Sequence, residues 1–271
     1  MFEKIKKIIA KNKEVEKNKY LTIANNSLII AASQGSYSGI ISALSQGANI
    51  NYSNNTNALF SVISSGSIDC LKLVLESKVD LTFKADASLS AFQFALASSA
   101  NINMLNCLLD YTFNHNVADI DGNTNAHYAS NNLELIQKIV SRGGRLDIRN
   151  NEGRTPFNYQ FLMLNLQSRK ELCEFYVQQN CDIFENNNDQ QSPFILGLMS
   201  EKIENKKTMI DYFCSLLNNQ EYLEKALEQI KSLRESDNKS YVMKKLESIS
   251  LNVNLEKKLI VKSNIEKKIK I

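Results

Sequence analysis

Residues 121–129 read Asp-Gly-Asn-Thr-Asn-Ala-His-Tyr-Ala, and residues 152–157 read Glu-Gly-Arg-Thr-Pro-Phe. Both run acid, glycine, one spacer, threonine, and then open onto small or apolar residues. Such a threonine is suited to cap a helix, because its hydroxyl accepts an amide hydrogen bond that the first turn leaves unmade. The glycine just before it marks a tight turn. An amphipathic segment follows each stretch, Leu133 to Val140 and Lys170 to Val177. Each then leaves through a polar exit, Arg142-Gly143-Gly144-Arg145-Leu146-Asp147 and Gln179-Asn180-Cys181-Asp182-Ile183.

The pattern extends outward. Aligning Gly35 with Gly66, a step of 31 residues, sets Ile40-Ile41 over Cys70-Leu71 and Ala43-Leu44 over Val74-Leu75. A third copy covers residues 88–116 through Ser90-Ala91-Phe92-Gln93-Phe94-Ala95, and a sixth covers 190–218 through Ser192-Pro193-Phe194-Ile195. Helical copies at a step near 33 residues are the signature of ankyrin arrays. Over residues 27–218 the chain therefore resembles the ankyrin-repeat family, whose motif is a turn glycine followed by Thr-Pro-Leu-His-x-Ala. Gly153, Thr155 and Pro156 match it, with Phe157 in the leucine place and Asn158 in the histidine place. Gly122, Thr124, His127 and Ala129 match it with Asn125 for proline. Asn55, Ser88 and Gln190 stand where other copies have the turn glycine. The third copy carries an extra residue near Asn101, and the fourth is shortened at Asn131-Asn132.

The resemblance implies an all-α solenoid of about six helix-turn-helix repeats with short hairpin loops, elongated because contacts run between neighbours. Thr124, Thr155 and Ser192 are expected to cap first helices, and Pro156 and Pro193 to fill the first helical position, where a missing N–H costs nothing. Ala31, Ala32, Ala95 and Ala129 permit close helix approach. Leu71/Val74/Leu75 and Ile136/Ile139/Val140 recur at buried spacing. Open ends of a stack need covering. Residues 1–26 are read as an N-terminal helical cap, a helix over 3–19 with Phe2, Ile5, Ile8, Ile9 and Val15 in one stripe. Residues 219–271 are read as a C-terminal cap or small helical module. Its helices span 220–235 (Leu223, Ala226, Leu227, Ile230, Leu233) and 239–250 (Tyr241, Val242, Leu246, Ile249), with 255–271 a frayed helix or tail.

A net charge of +3 does not by itself point to nucleic acid. Residues 1–20 hold seven Lys against three Glu, and residues 220–271 hold twelve Lys or Arg against eight Asp or Glu, so the middle is acidic. Solvated helix faces explain those basic ends, and a tether to an anionic surface through the N-terminal helix is the minor reading. The lysine runs lack the interleaved aromatics that stack on bases, so no nucleic-acid partner is expected. The start of the chain has no signal-peptide pattern, and Leu28-Ile29-Ile30-Ala31-Ala32 is too short to span a bilayer, so a cytoplasmic protein is expected. Five cysteines, with no CxxC pair, read as free, mostly buried thiols in a reducing compartment.

Catalytic motifs are absent: no HExxH, phosphate loop, GxGxxG or GxSxG occurs. Of two histidines, His127 stands where the ankyrin family uses histidine to hydrogen-bond the turn, and His115 has no nearby cysteine for a metal site. The chain is read as having no catalytic residue, no metal, no cofactor and no enzymatic activity.

The resemblance implies protein recognition on a concave surface of hairpin tips and first helices, by a monomer acting as scaffold or adaptor. An Asn-, Lys- and Ile-rich composition, as of an AT-rich genome, raises an effector delivered by an intracellular bacterium into the host cytosol. The alternative is an inhibitor or immunity-type protein that binds a cognate enzyme. An enzyme or membrane-tethered module using the divergent termini comes third. The expected contact positions flank the turns and close the first helices: Asn54, Ser64 and Ser65; Asp86, Ala97 and Ser98; Asp121, Asn123 and Asn131; Glu152 and Arg154. Asp121, Glu152 and Arg154 carry the most weight, and the partner is expected to be basic.

Overall fold

Short runs of apolar residues, each opened by a Ser, Thr or Asn cap, set the secondary structure. The computed structural model describes residues 2–161, 169–199, 206–217, 220–231, 233 and 239–250. They are all-α apart from a two-residue hairpin, β1 (Ser53–Asn54) against β2 (Thr56–Asn57). The first compact unit comprises residues 1–128 and 138–144, and the second 129–137 and 145–271.

In the first unit, α1 (Phe2–Ser33) packs on α2 (Tyr37–Ser45) and on α3 (Ala58–Ser65). Helix α4 (Ile68–Glu76) packs on α2, α3 and α6 (Ile102–Tyr111), while α5 (Ala91–Ala97) packs on α3, α6 and α7 (Asn125–Tyr128). Odd-numbered helices thus form one layer and even-numbered helices another. Leu28, Ile40, Leu59, Leu71, Phe92, Met104 and Leu108 fill the space between them. Asn57, Ser90 and Asn101 cap α3, α5 and α6, accepting from Phe60 N (3.0 Å), Gln93 N (3.3 Å) and Met104 N (2.9 Å). Helix α8 (Leu133–Ser141) straddles the division between the units.

The second unit holds α9 (Pro156–Tyr159), α10 (Arg169–Gln178), α11 (Pro193–Met199), α12 (Lys206–Ser215) and α13 (Gln220–Lys231), and residues 239–250 are helical. Pro156 and Pro193 each take the first helical position. Helix α11 packs on α9, α12 and α13. Buried Phe157 stacks on Tyr176 at 4.7 Å, and the Tyr176 hydroxyl donates to Ser130 O at 3.2 Å. Leu223, Ala226 and Ile230 of α13 are buried, as are Val242 and Leu246, whereas Leu227, Leu233, Tyr241 and Ile249 are half-buried. Residues 251–271, including the expected tail, lie outside the described residues.

The expected N-terminal cap takes a different form. Nothing between Phe2 and Ser33 breaks a helix, since no Gly or Pro occurs there, so α1 runs through the expected boundary at residue 26 as one helix. Phe2 is 81% exposed and Val15 58% exposed, and among the described side chains of the helix Ala24 is the first that is buried.

Candidate functional site

Three connecting loops have the same internal build. In each, a side-chain oxygen accepts from the amides two and four residues ahead. Asp119 Oδ1 accepts from Asp121 N (2.9 Å) and Asn123 N (2.8 Å). Asn150 Oδ1 accepts from Glu152 N (3.1 Å) and Arg154 N (2.9 Å), and Asn187 Oδ1 from Asp189 N and Gln191 N (both 2.9 Å). A main-chain bond from the first to the fifth residue closes each loop at 2.9–3.0 Å. The fourth residue turns the chain with positive φ: Gly122 at 80°, Gly153 at 70° and Gln190 at 59°. Asn55 and Ser88 adopt the same sign at 61° and 60°, so the positions read as turn places behave as such whether or not they hold glycine. The third residue of each hydrogen-bonded loop is an exposed acid: Asp121, Glu152 and Asp189.

Below the loops, polar side chains tie helix starts to the turns around them. Thr124 N donates to His127 Nδ1 at 3.1 Å, so His127 satisfies the start of α7. Asn158 does the same at α9: its Oδ1 accepts from Thr155 N (3.1 Å) and Thr155 Oγ1 (2.9 Å), while its Nδ2 donates to Glu185 O and Gln191 O (both 3.3 Å). Gln93 Oε1 accepts from Ser90 N at 2.8 Å. The loops are therefore rigid mounts for the acids they carry.

The basic neighbours of the second unit's loops are drawn into the scaffold. Arg154 pairs with Glu152 and, at 3.4 Å, with Asp189, leaving its side chain 16% exposed. Arg149 pairs with Glu185 at 2.6 Å and also donates to Gly153 O and Asn186 O. Arg154 therefore ties two loop tips together and is not the free arm that the sequence suggested. Asn123 departs from expectation further. It is buried because Asp119 holds its amide and side chain and Gln93 holds its carbonyl. Asn54, Ser64, Asp86, Ala97, Ser98, Asp121 and Glu152 are exposed, while Ser65 and Asn131 are half-buried. Ser65 Oγ donates back to Val62 O at 2.8 Å. Asp86 lies two residues before the turn residue Ser88, so Ala87 takes the place that the acids hold elsewhere. Asp189 was missed, although the flanking rule applied to Gln190 finds it.

Other titratable groups are turned inward. His115 is buried, with Nδ1 against Asn125 Nδ2 at 3.2 Å and Nε2 unpartnered. Burial, and secondarily the Arg142 charge, hold it below the ordinary histidine pKa. The five cysteines are free: Cys70, Cys173 and Cys214 are buried, and Cys107 and Cys181 half-buried. Burial pushes the Cys181 thiol up to about 12, far from a reactive thiolate. Among the described residues no His, Cys, Asp and Glu gather as a metal site, and no helix is long and apolar enough to cross a membrane.

No family model matches the chain. No curated protein matches it. Among solved structures it is similar to a chain of the Bd0816 predatory endopeptidase from Bdellovibrio bacteriovorus in complex with immunity protein Bd3460. The TM-score is 0.55 and the identity 17%, over 76% of this chain and 98% of that one. The likeness is one of fold.

Proposed function

We propose that the chain is an ankyrin-repeat protein that grips a protein partner by its hairpin loops, and that the partner is an enzyme held inactive, as an immunity-type protein would hold it. The observation that carries this reading is the loop build. Loops of one geometry carry acids at their tips, and the arginines beside the second unit's tips are tied into the scaffold, so the accessible charge on those loops is acidic. Pre-ordered loops lose little entropy on binding, which favours a tight complex over a transient one. A partner with a basic rim around its active-site cleft fits such tips. The fold likeness to a chain of an endopeptidase–immunity protein complex supports a peptidase as the first partner class to try. On this reading the chain contributes no catalytic group of its own.

The test is titration of the purified chain into peptidases encoded in the same genome, reading hydrolysis and complex mass together. A one-to-one complex with loss of activity is expected for one of them. A one-to-one complex that leaves activity intact would retain the protein-binding reading and remove the inhibitory one.

A further inference from the structure

We propose that the exposed N-terminal part of α1 docks on an anionic lipid surface. This inference does not rest on the loops. Helix α1 has 32 residues, about 48 Å at 1.5 Å per residue, and among its described side chains only those of the last third enter the core. Ala24, Leu28, Ala31 and Ala32 are buried on one face. Turned away from that face, Ile23 and Ile30 stand at 51% and 56% exposed, and Tyr20 at its edge is 72% exposed. Steps of three and four continue that row through positions 16, 12, 9 and 5 to Phe2, which is 81% exposed. Asn12 and Glu16 interrupt the row, and isoleucines hold positions 5 and 9.

Charge around the row is not symmetric. By helical position, Lys6, Lys13 and Lys17 border it on one side. On the other, positions 8 and 15 widen it, with Val15 58% exposed; Lys19 stands beside them and Lys4 and Lys11 beyond. Lys7 falls with the acids of the far side, and all seven lysines are exposed. Of the three acids in this stretch, Glu3 and Glu14 fall on the far side, so Glu16 alone sits within the apolar row. An apolar row between two lines of lysine matches the plane of a lipid headgroup layer. There the apolar groups enter the acyl boundary while lysine stems reach outward and place their ammonium groups at the phosphates. Anionic headgroups complete the match, because each lysine near such a surface adds attraction that salt screens.

Flotation of the full chain with phosphatidylcholine vesicles, with and without phosphatidylserine, tests this. Binding is expected to the anionic vesicles, at least about tenfold weaker to neutral ones, and weaker again at high salt. Replacing Lys4, Lys6, Lys11, Lys13, Lys17 and Lys19 together with Gln should lower binding by the same factor, whereas arginine at all six should retain it. Failure of the unaltered chain to float, equal binding to both vesicles, or indifference to the lysine change would overturn the proposal. Light scattering supplies a separate check. A dimer that becomes a monomer in the Phe2→Ser, Ile23→Ser variant would make the row a self-association surface and remove the lipid.

Discussion

Gln93 Nε2 donates to the main-chain carbonyl of Asn123 at 2.8 Å, joining residues 30 apart in sequence. The same amide donates to Val117 O at 3.1 Å, and its oxygen takes Ser90 N. One buried side chain thus satisfies a helix start, an exit segment and a loop at once.

Replacing Gln93 with Met keeps the volume and removes all three bonds. Because buried polar groups left without partners are penalised individually, a loss of roughly 2–4 kcal/mol is expected. Urea unfolding followed by circular dichroism measures it, and Asn158→Leu should behave alike in the second compact unit. A loss below about 0.5 kcal/mol would show that water replaces the bonds.

Ser88 and Gln190 hold positive φ without being glycine. Substituting either with Gly should raise stability by about 1 kcal/mol, the strain that a side chain bears in the left-handed region less glycine's greater freedom when unfolded. Gly153→Ala should do the opposite and by more, because the new methyl group would meet the Asn188 side chain and amide nitrogen. Thermal melts of the three variants give the order.

His115 makes stability acid-sensitive. The folded state resists its protonation, since the ring is buried and Arg142 lies nearby, whereas the unfolded chain takes the proton near the ordinary value of 6.5. The neutral ring's contribution is therefore fully present above that value and declines as pH falls below it toward the depressed folded-state pKa. Denaturation midpoints at about pH 7.5 and 5.5 should differ less in His115→Gln than in the unaltered chain. Equal differences would assign the acid sensitivity to carboxylates.

Neutralising the loop tips separates recognition from folding. Asp121→Asn, Glu152→Gln and Asp189→Asn together should weaken the complex at least tenfold, about 1.4 kcal/mol. Asp121→Asn alone should hardly move the melting temperature, because that tip is exposed. Glu152→Gln and Asp189→Asn should lower it about as much as Arg154→Ala does, because they remove the same two ion pairs from a side chain that is 16% exposed. Calorimetric titration and a thermal melt on each variant check the split.

The helical class was legible because caps, prolines and apolar spacing are local signals: Thr155, Pro156 and Ser192 sit where their chemistry demands. The turn places were legible too, even at Asn55, Ser88 and Gln190, since phase located them without glycine. Side-chain direction was not. Asn123 and Arg154 flank turn glycines as Asp121 and Glu152 do, yet Asp119 and Gln93 draw the first inward and two carboxylates restrain the second. Those partners stand in other segments, which a linear pattern does not place in space. The extent of α1 was misjudged for another reason: the apolar stripe read for it stops at Val15, whereas burial of Ala24 and Leu28 carries the helix on to Ser33.

Ile195 lies three residues after the capping Ser192, the place that Gln93, His127 and Asn158 hold after Ser90, Thr124 and Thr155, and a hydrocarbon there can donate nothing. The missing amide comes from α13, where Gln229 takes Ser192 Oγ at 2.5 Å and gives its own Nε2 to Phe184 O at 3.1 Å. The polar tie that three other helix starts draw from within their own helices is here borrowed from a helix more than thirty residues downstream. The α11 start and α13 are thereby made to depend on each other, so a cut between them would strip a buried helix start of its bond as well as uncovering apolar surface.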